Sequence, residues 1–173
     1  MKKIIKYIGI LIIIVIIILP ILYINNRVGI CEKNIEKDVR TQRNLDDSWE
    51  VSKSTNKNIS ALIFYDNEQS KSNYSIYVNK KGLSFGYFFR GGGSTYLENK
   101  GIVEYQIEGF QEKTYISMNK DKISRVEIDK GNNIKVINIE STKPFALVLD
   151  KDAIAIRFYD INDNIIKPIY QKL

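Results

Sequence analysis

From Tyr7 to Ile24 the chain runs YIGILIIIVIIILPILYI without a charged residue, and this run limits what the rest of the molecule can be. A helix of that length covers roughly 27 Å at about 1.5 Å per residue, close to the ~30 Å hydrocarbon core of a bilayer. A charge at the bilayer centre is costly, so an uncharged Ile-rich run of this kind is expected to span a membrane. Lys2, Lys3 and Lys6 form a basic start. Tyr7 and Tyr23 stand near the two ends, where amphipathic rings favour the headgroup region, and Pro20 lies near the outer end, where a kink is tolerated.

Two other fates for such a segment need other residues. A cleaved signal peptide needs small residues at its cleavage site. None of the first 60 residues is Ala, and the run is followed by Asn25-Asn26-Arg27-Val28-Gly29-Ile30. A lipoprotein needs small residues just before a Cys that closes the apolar run. Cys31 comes well after Ile24 and is preceded by bulky Ile30. The expectation is therefore an uncleaved anchor over 1–24, with Cys31 a juxtamembrane thiol open to acylation or intermolecular bridging. Lys2, Lys3 and Lys6 favour an inside N-terminus, against competition from Arg27, Lys33, Lys37, Arg40 and Arg43, so the C-terminal part is placed outside the cytoplasm.

Charge and residue types narrow the chemistry. The net charge is +6, but the first 28 residues hold four of the 26 basic residues and no acid, which leaves the remainder at +2. Charges of both signs are mixed there, which reads as a solvated surface rather than the basic face of a nucleic-acid module. The chain has one Cys and no His. An intramolecular disulfide, Ser-His or Cys-His nucleophile pairs and histidine metal sites are excluded. No cofactor or metal is expected.

Residues 25–47 are polar, with only Ile30, Ile35 and Val39 forming a thin apolar seam. Glu36 and Arg40 sit at the i,i+4 spacing that supports a helix, and the spacing predicts a marginal one over Cys31–Arg43. The segment is expected to act as a stalk that holds the domain clear of the headgroups.

Residues 48–173 show period-two patterning with β-branched and aromatic residues. Strands are predicted at Ile59–Tyr65, Ile102–Glu108, Thr114–Asn119, Ile123–Ile128, Ile134–Glu140, Phe145–Leu149 and Ile154–Tyr159. Tyr74–Val78 and Leu83–Phe89 are predicted to form a hairpin across Asn79-Lys80-Lys81-Gly82. The wholly apolar Phe145–Leu149 should be central. A last strand from Ile165 to about Tyr170 should lie at an edge, because Pro168 cannot donate to a ladder. The fold class is all-β, an antiparallel β-sandwich of about eight or nine strands.

Arg90-Gly91-Gly92-Gly93-Ser94-Thr95 stands out as a candidate contact loop. Successive glycine N–H groups can cradle an anion, and an arginine can pair with a carboxylate or phosphate; the plain alternative is a flexible connector. Replacing Arg90 and Gly92 is expected to abolish partner binding without lowering stability. Asp160, Asn162 and Asn164 fit the opening of a calcium loop, but Ile165 replaces its glycine and an Asx turn explains them better. Ser54/Lys57 and Ser117/Lys120 have Ser-Lys spacing off any helix, and Asp46, Asp47 and Glu50 flank Trp49 at a solvated corner where Trp49 should tuck against the domain. No catalytic residue is assigned. The leading expectation is a non-enzymatic binding or accessory module at the cell envelope, contacting the bilayer and an envelope protein or glycan. A carboxylate- or Ser/Lys-based hydrolase and an immunity or exclusion protein are the alternatives.

Overall fold

The computed structural model describes residues 2–24, 27–80, 85–94 and 101–173; within the first helix, side chains are described from Tyr7 to Tyr23. The expected turn residues Lys81 and Gly82, together with Leu83 and Thr95, lie outside the described residues. The chain opens with α1 (Lys2–Ile24), then a short 3-10 turn at Glu32–Asn34 and α2 (Ile35–Arg43). Among the described residues no helix is long and apolar enough to cross a membrane.

The remainder is all strand and connection. β1 (Glu50–Thr55), β2 (Ile59–Tyr65), β3 (Ser72–Asn79) and β4 (Tyr87–Ser94) form an antiparallel first sheet in that order. β5 (Ile102–Gln106), β6 (Lys113–Ser117) and β9 (Phe145–Leu149) form the middle sheet, joined by β12 (Ile169–Lys172) in the order β12-β5-β6-β9. β7 (Ile123–Asp129), β8 (Ile134–Asn138), β10 (Ala155–Asp160) and β11 (Ile165–Ile166) form a third sheet in the order β11-β10-β7-β8. Among the described residues the named strands pair antiparallel except β12 on β5.

The middle sheet is apolar on both faces. Val103, Tyr105, Ile116 and Ala146 pack with Ile59, Ala61, Ile63, Tyr74 and Ile76 of the first sheet. Their strand neighbours Ile102, Tyr115, Phe145 and Leu149 point the other way and pack with Ile123, Val126, Ile128 and Phe158 of the third. The period-two alternation of strand side chains thus feeds two cores at once. The expected β class holds: the chain is mostly strand, in three antiparallel or mixed sheets, with two cores on either side of the middle one.

The outer face of the first sheet carries a third core. Ile35 and Val39 of α2 are fully buried against Leu62, Phe64 and Tyr77, with Ile30, Leu45 and Trp49 alongside. The Tyr77 hydroxyl donates to the Asp38 carboxylate at 2.6 Å, and the Arg40 guanidinium donates to the Asp46 and Trp49 carbonyl oxygens. The expected Glu36–Arg40 pair is present at 3.1 Å. Asn44, left-handed at φ 57°, ends the helix. The helix over this segment therefore forms, but residues 30–45 are no stalk: the thin apolar seam is what docks them on the domain.

Three further expectations change. Phe145–Leu149 lies at the end of its ladder, not at its centre. Its continuous apolar run is explained by two buried faces, and its free edge is covered: the Ala146 and Val148 amides donate to the Ser52 and Ser54 hydroxyls of β1 at 3.3 and 2.9 Å. β1 itself escaped sequence reading because Glu50-Val51-Ser52-Lys53-Ser54-Thr55 offers one apolar residue. The last strand divides at Pro168 into β11 and β12, each at a sheet edge, and this crossing between sheets produces the parallel pairing of β12 with β5. The predicted hairpin exists as β3–β4, but pairing resumes only at Asn79 with Tyr87. Gly86, at φ +88°, ends the strand there, where a Cβ would stand 2.7 Å from the Ile30 carbonyl oxygen.

Ile35→Ala is expected to lower the unfolding free energy by about 2–5 kcal/mol in urea denaturation; an unchanged value would mean that α2 is not docked. Ser52→Ala with Ser54→Ala strands two amides of β9 and should cost about 1–3 kcal/mol per amide; a neutral double variant would show that these hydroxyls do not hold the edge.

Candidate functional site

The glycine run is strand rather than loop. Gly91, Gly92 and Gly93 pair with Ile76, Ser75 and Tyr74, and Ser94 pairs with Asn73. The register slips between Ile76 and Tyr77, so Arg90 is the extra residue of a bulge. In extended backbone successive N–H groups point to opposite sides, so the run makes no anion cradle. Close packing accounts for Gly92 above all. A Cβ on Gly92 would stand 2.5 Å from the Tyr74 carbonyl oxygen, and one on Gly91 would meet the Leu173 methyls at 3.2 Å. Arg90 reaches Glu108 at 3.8 Å across open solvent, a surface pair of small worth. Gly92 is therefore a structural position, and its replacement tests folding before it tests binding.

The other sequence candidates are held by local backbone bonding. The Asp160 carboxylate accepts the amides of Asn162 and Asn164 at 2.8 and 2.9 Å and the Asn164 side-chain amide at 3.0 Å, closing an Asx turn. Among the described residues no group of three or more His, Cys, Asp or Glu side chains is placed to hold a metal ion. The Ser54 hydroxyl serves β9, and the Ser117 hydroxyl donates to the Gly101 carbonyl at 2.6 Å while Lys120 reaches the Gln69 carbonyl at 3.1 Å. Asp46 caps Ser48, and Trp49 lies against the α2 core as expected.

A cleft that sequence reasoning missed opens where the three sheets meet. Its volume is about 490 Å³, and it lies between β1, the end of β8 and the start of β9. Ile137, Ile139, Phe145 and Leu147 give it an apolar floor. Across the mouth, the Tyr65 hydroxyl donates to Glu50 Oε2 at 3.0 Å, and Lys143 Nζ stands 3.7 Å from Glu50 and 3.8 Å from Glu140. Burial, then the bond to Glu50, pushes the Tyr65 hydroxyl up to about 12. It therefore stays a hydrogen-bond donor at neutral pH. The arrangement presents a donor, two carboxylates and an ammonium over apolar carbon, the makeup of a recognition cleft. Only Glu50 of these groups was visible as a candidate. Glu140 and Lys143 look like ordinary loop charges, and Tyr65 looks like core.

No family model matches the chain, and neither curated proteins nor solved structures match it.

Gly92→Ala is expected to lower the melting temperature clearly, because the Cβ would have to displace the Tyr74 carbonyl; an unchanged melting temperature would show that β3 and β4 have slack. Stability should also fall in acid. The Asn164 amide holds the Asp160 carboxyl below its ordinary value, as the Ser70 hydroxyl does for Asp66. A carboxyl depressed by folding contributes stability above the unfolded value, and the contribution is lost as pH falls below about 4. Asp160→Asn should flatten that fall in a pH series of thermal melts; an identical slope would mean that the turn is not coupled to folding.

Proposed function

We propose that this chain is a membrane-tethered, non-catalytic binding or accessory module whose β-domain stands on the extracytoplasmic side. The observation that supports it is the surface of α1. Every described side chain of this helix from Tyr7 to Tyr23 is exposed except Gly9 and Leu22, and the exposed ones include an almost unbroken set of Ile, Leu and Val. A helix apolar all round is stable only inside a protein core or a bilayer. The domain's own cores are filled by the three sheets and α2, so lipid is the cover that fits. The uncharged run in the sequence extends to Ile24, beyond the described side chains, and the lysines at 2, 3 and 6 keep its start on the cytoplasmic side.

The cleft of Glu50, Tyr65, Glu140 and Lys143 is the surface this reading assigns to the partner. A carboxylate or Ser/Lys hydrolase has less support, since Ser54 and Ser117 bind backbone and the one shifted group of the cleft is a protonated hydroxyl.

Full-length chain expressed in a bacterial host should stay in the membrane pellet after alkaline carbonate washing, and protease added to intact spheroplasts should degrade the domain. A chain that washes off, or a domain that survives protease until the cells are lysed, would contradict the tether or its orientation.

A further inference from the structure

The anchor and the domain are joined with almost no slack. α1 ends at Ile24. The Arg27 amide donates back to the Leu22 carbonyl at 2.8 Å, while the Arg27 carbonyl already accepts from the Phe85 amide at 2.8 Å. The Gly29 amide donates to the Phe85 carbonyl, and Ile30 and Tyr87 exchange both backbone bonds. Val28 and Ile30 thus extend the first sheet beside the start of β4. Three residue steps separate the last helical residue from Arg27, so the chain allows at most about 11 Å between them. Gly29 and Gly86 meet there so closely that a Cβ on Gly86 would lie 2.9 Å from the Gly29 carbonyl carbon.

What the domain presents at this joint is unusual for an exposed surface. Phe85 is 57% exposed, Phe89 46% and Val28 45%. Cations stand over the neighbouring rings: Lys80 Nζ lies 4.2 Å from the centre of Phe88, and the Arg43 guanidinium 5.7 Å from that of Phe89. Of the acids on the same side, Asp38 is engaged with Tyr77 and Gln42 and Glu36 with Arg40, while Glu32 lies near Tyr87. Exposed aromatic carbon interleaved with Lys and Arg is the composition that settles at a bilayer interface, where rings take the headgroup level and cations meet anionic lipid.

We propose that this border of the first sheet, with Val28, Phe85 and Phe89 inserted and Lys80 and Arg43 on lipid phosphates, is a second membrane contact that lays the domain on an anionic bilayer surface. The proposal rests on α1 being the anchor. It reverses the expected stalk, since the joint that would hold the domain away from the headgroups is too short to do so.

The test uses the full chain in phosphatidylcholine–phosphatidylglycerol vesicles carrying lipid brominated near the headgroup end of the acyl chain. Trp49, the sole tryptophan, is changed to Phe, and a reporter is introduced as Phe85→Trp, as Phe89→Trp or, as a control, as Val136→Trp. Val136 is exposed on β8 at the edge of the third sheet, which the middle sheet separates from β4. The two β4 reporters should lose at least about half their emission to the brominated lipid, as expected of rings at headgroup level, and the control should lose little. Lys80→Glu with Arg43→Glu should weaken the quenching on phosphatidylglycerol and leave it unchanged on phosphatidylcholine alone. Vesicles that retain the chain while all three reporters emit equally would overturn the surface contact and leave the anchor standing. A chain that fails to float with the vesicles would overturn both.

Discussion

The architecture depends on a middle sheet that buries apolar side chains on both of its faces. In β9 the side chains of Phe145, Leu147 and Leu149 enter one core and those of Ala146 and Val148 the other. A sheet of this kind cannot face water on either side, so it must be covered twice. The first and third sheets are those covers. The first sheet, itself apolar on both faces through Leu62, Phe64 and Tyr77, then needs α2 as a cover of its own. The layers follow from one another, outward from β5, β6 and β9.

Close packing in such a stack leaves little freedom for polar groups, and the chain manages them locally. The free edge of β9 is closed by serine hydroxyls in place of a further backbone ladder. The Tyr115 hydroxyl donates to Glu104 at 3.1 Å, and the Asn119 amide, in a left-handed corner at φ 56°, binds the carbonyls of Ile123 and Glu140. Turns such as those at Asp66 and Asp160 are tied by carboxylates that accept backbone amides. These bonds hold the connections rather than assemble a reactive site, and the cleft of Glu50, Tyr65, Glu140 and Lys143 forms where the three sheets meet.

Strands with strong patterns were legible in the sequence. Ile59–Tyr65 and Phe145–Leu149 carry continuous apolar runs, and their bounds match β2 and β9. β1 was not legible, because its serines do their work as edge caps that only the neighbouring strand reveals. The glycines at 91–93 look like a loop in the sequence because a residue without a side chain carries no periodicity; the close contacts at Gly91 and Gly92 are with Leu173 and Tyr74, remote in sequence. The apolar seam of Ile30, Ile35 and Val39 was visible, but nothing local shows that a sheet face awaits it. Likewise the cleft is built from positions about 75–90 residues apart in the chain, whose charges look ordinary until the fold gathers them.

On this reading β9 is an interior strand although it ends its ladder. Residue-resolved hydrogen exchange on the native chain tests it most directly. The amides of Ala146 and Val148, which point away from β6, should exchange as slowly as the slowest amides of β6. Exchange of those two amides at the rate of an open sheet edge, with β6 still protected, would contradict it.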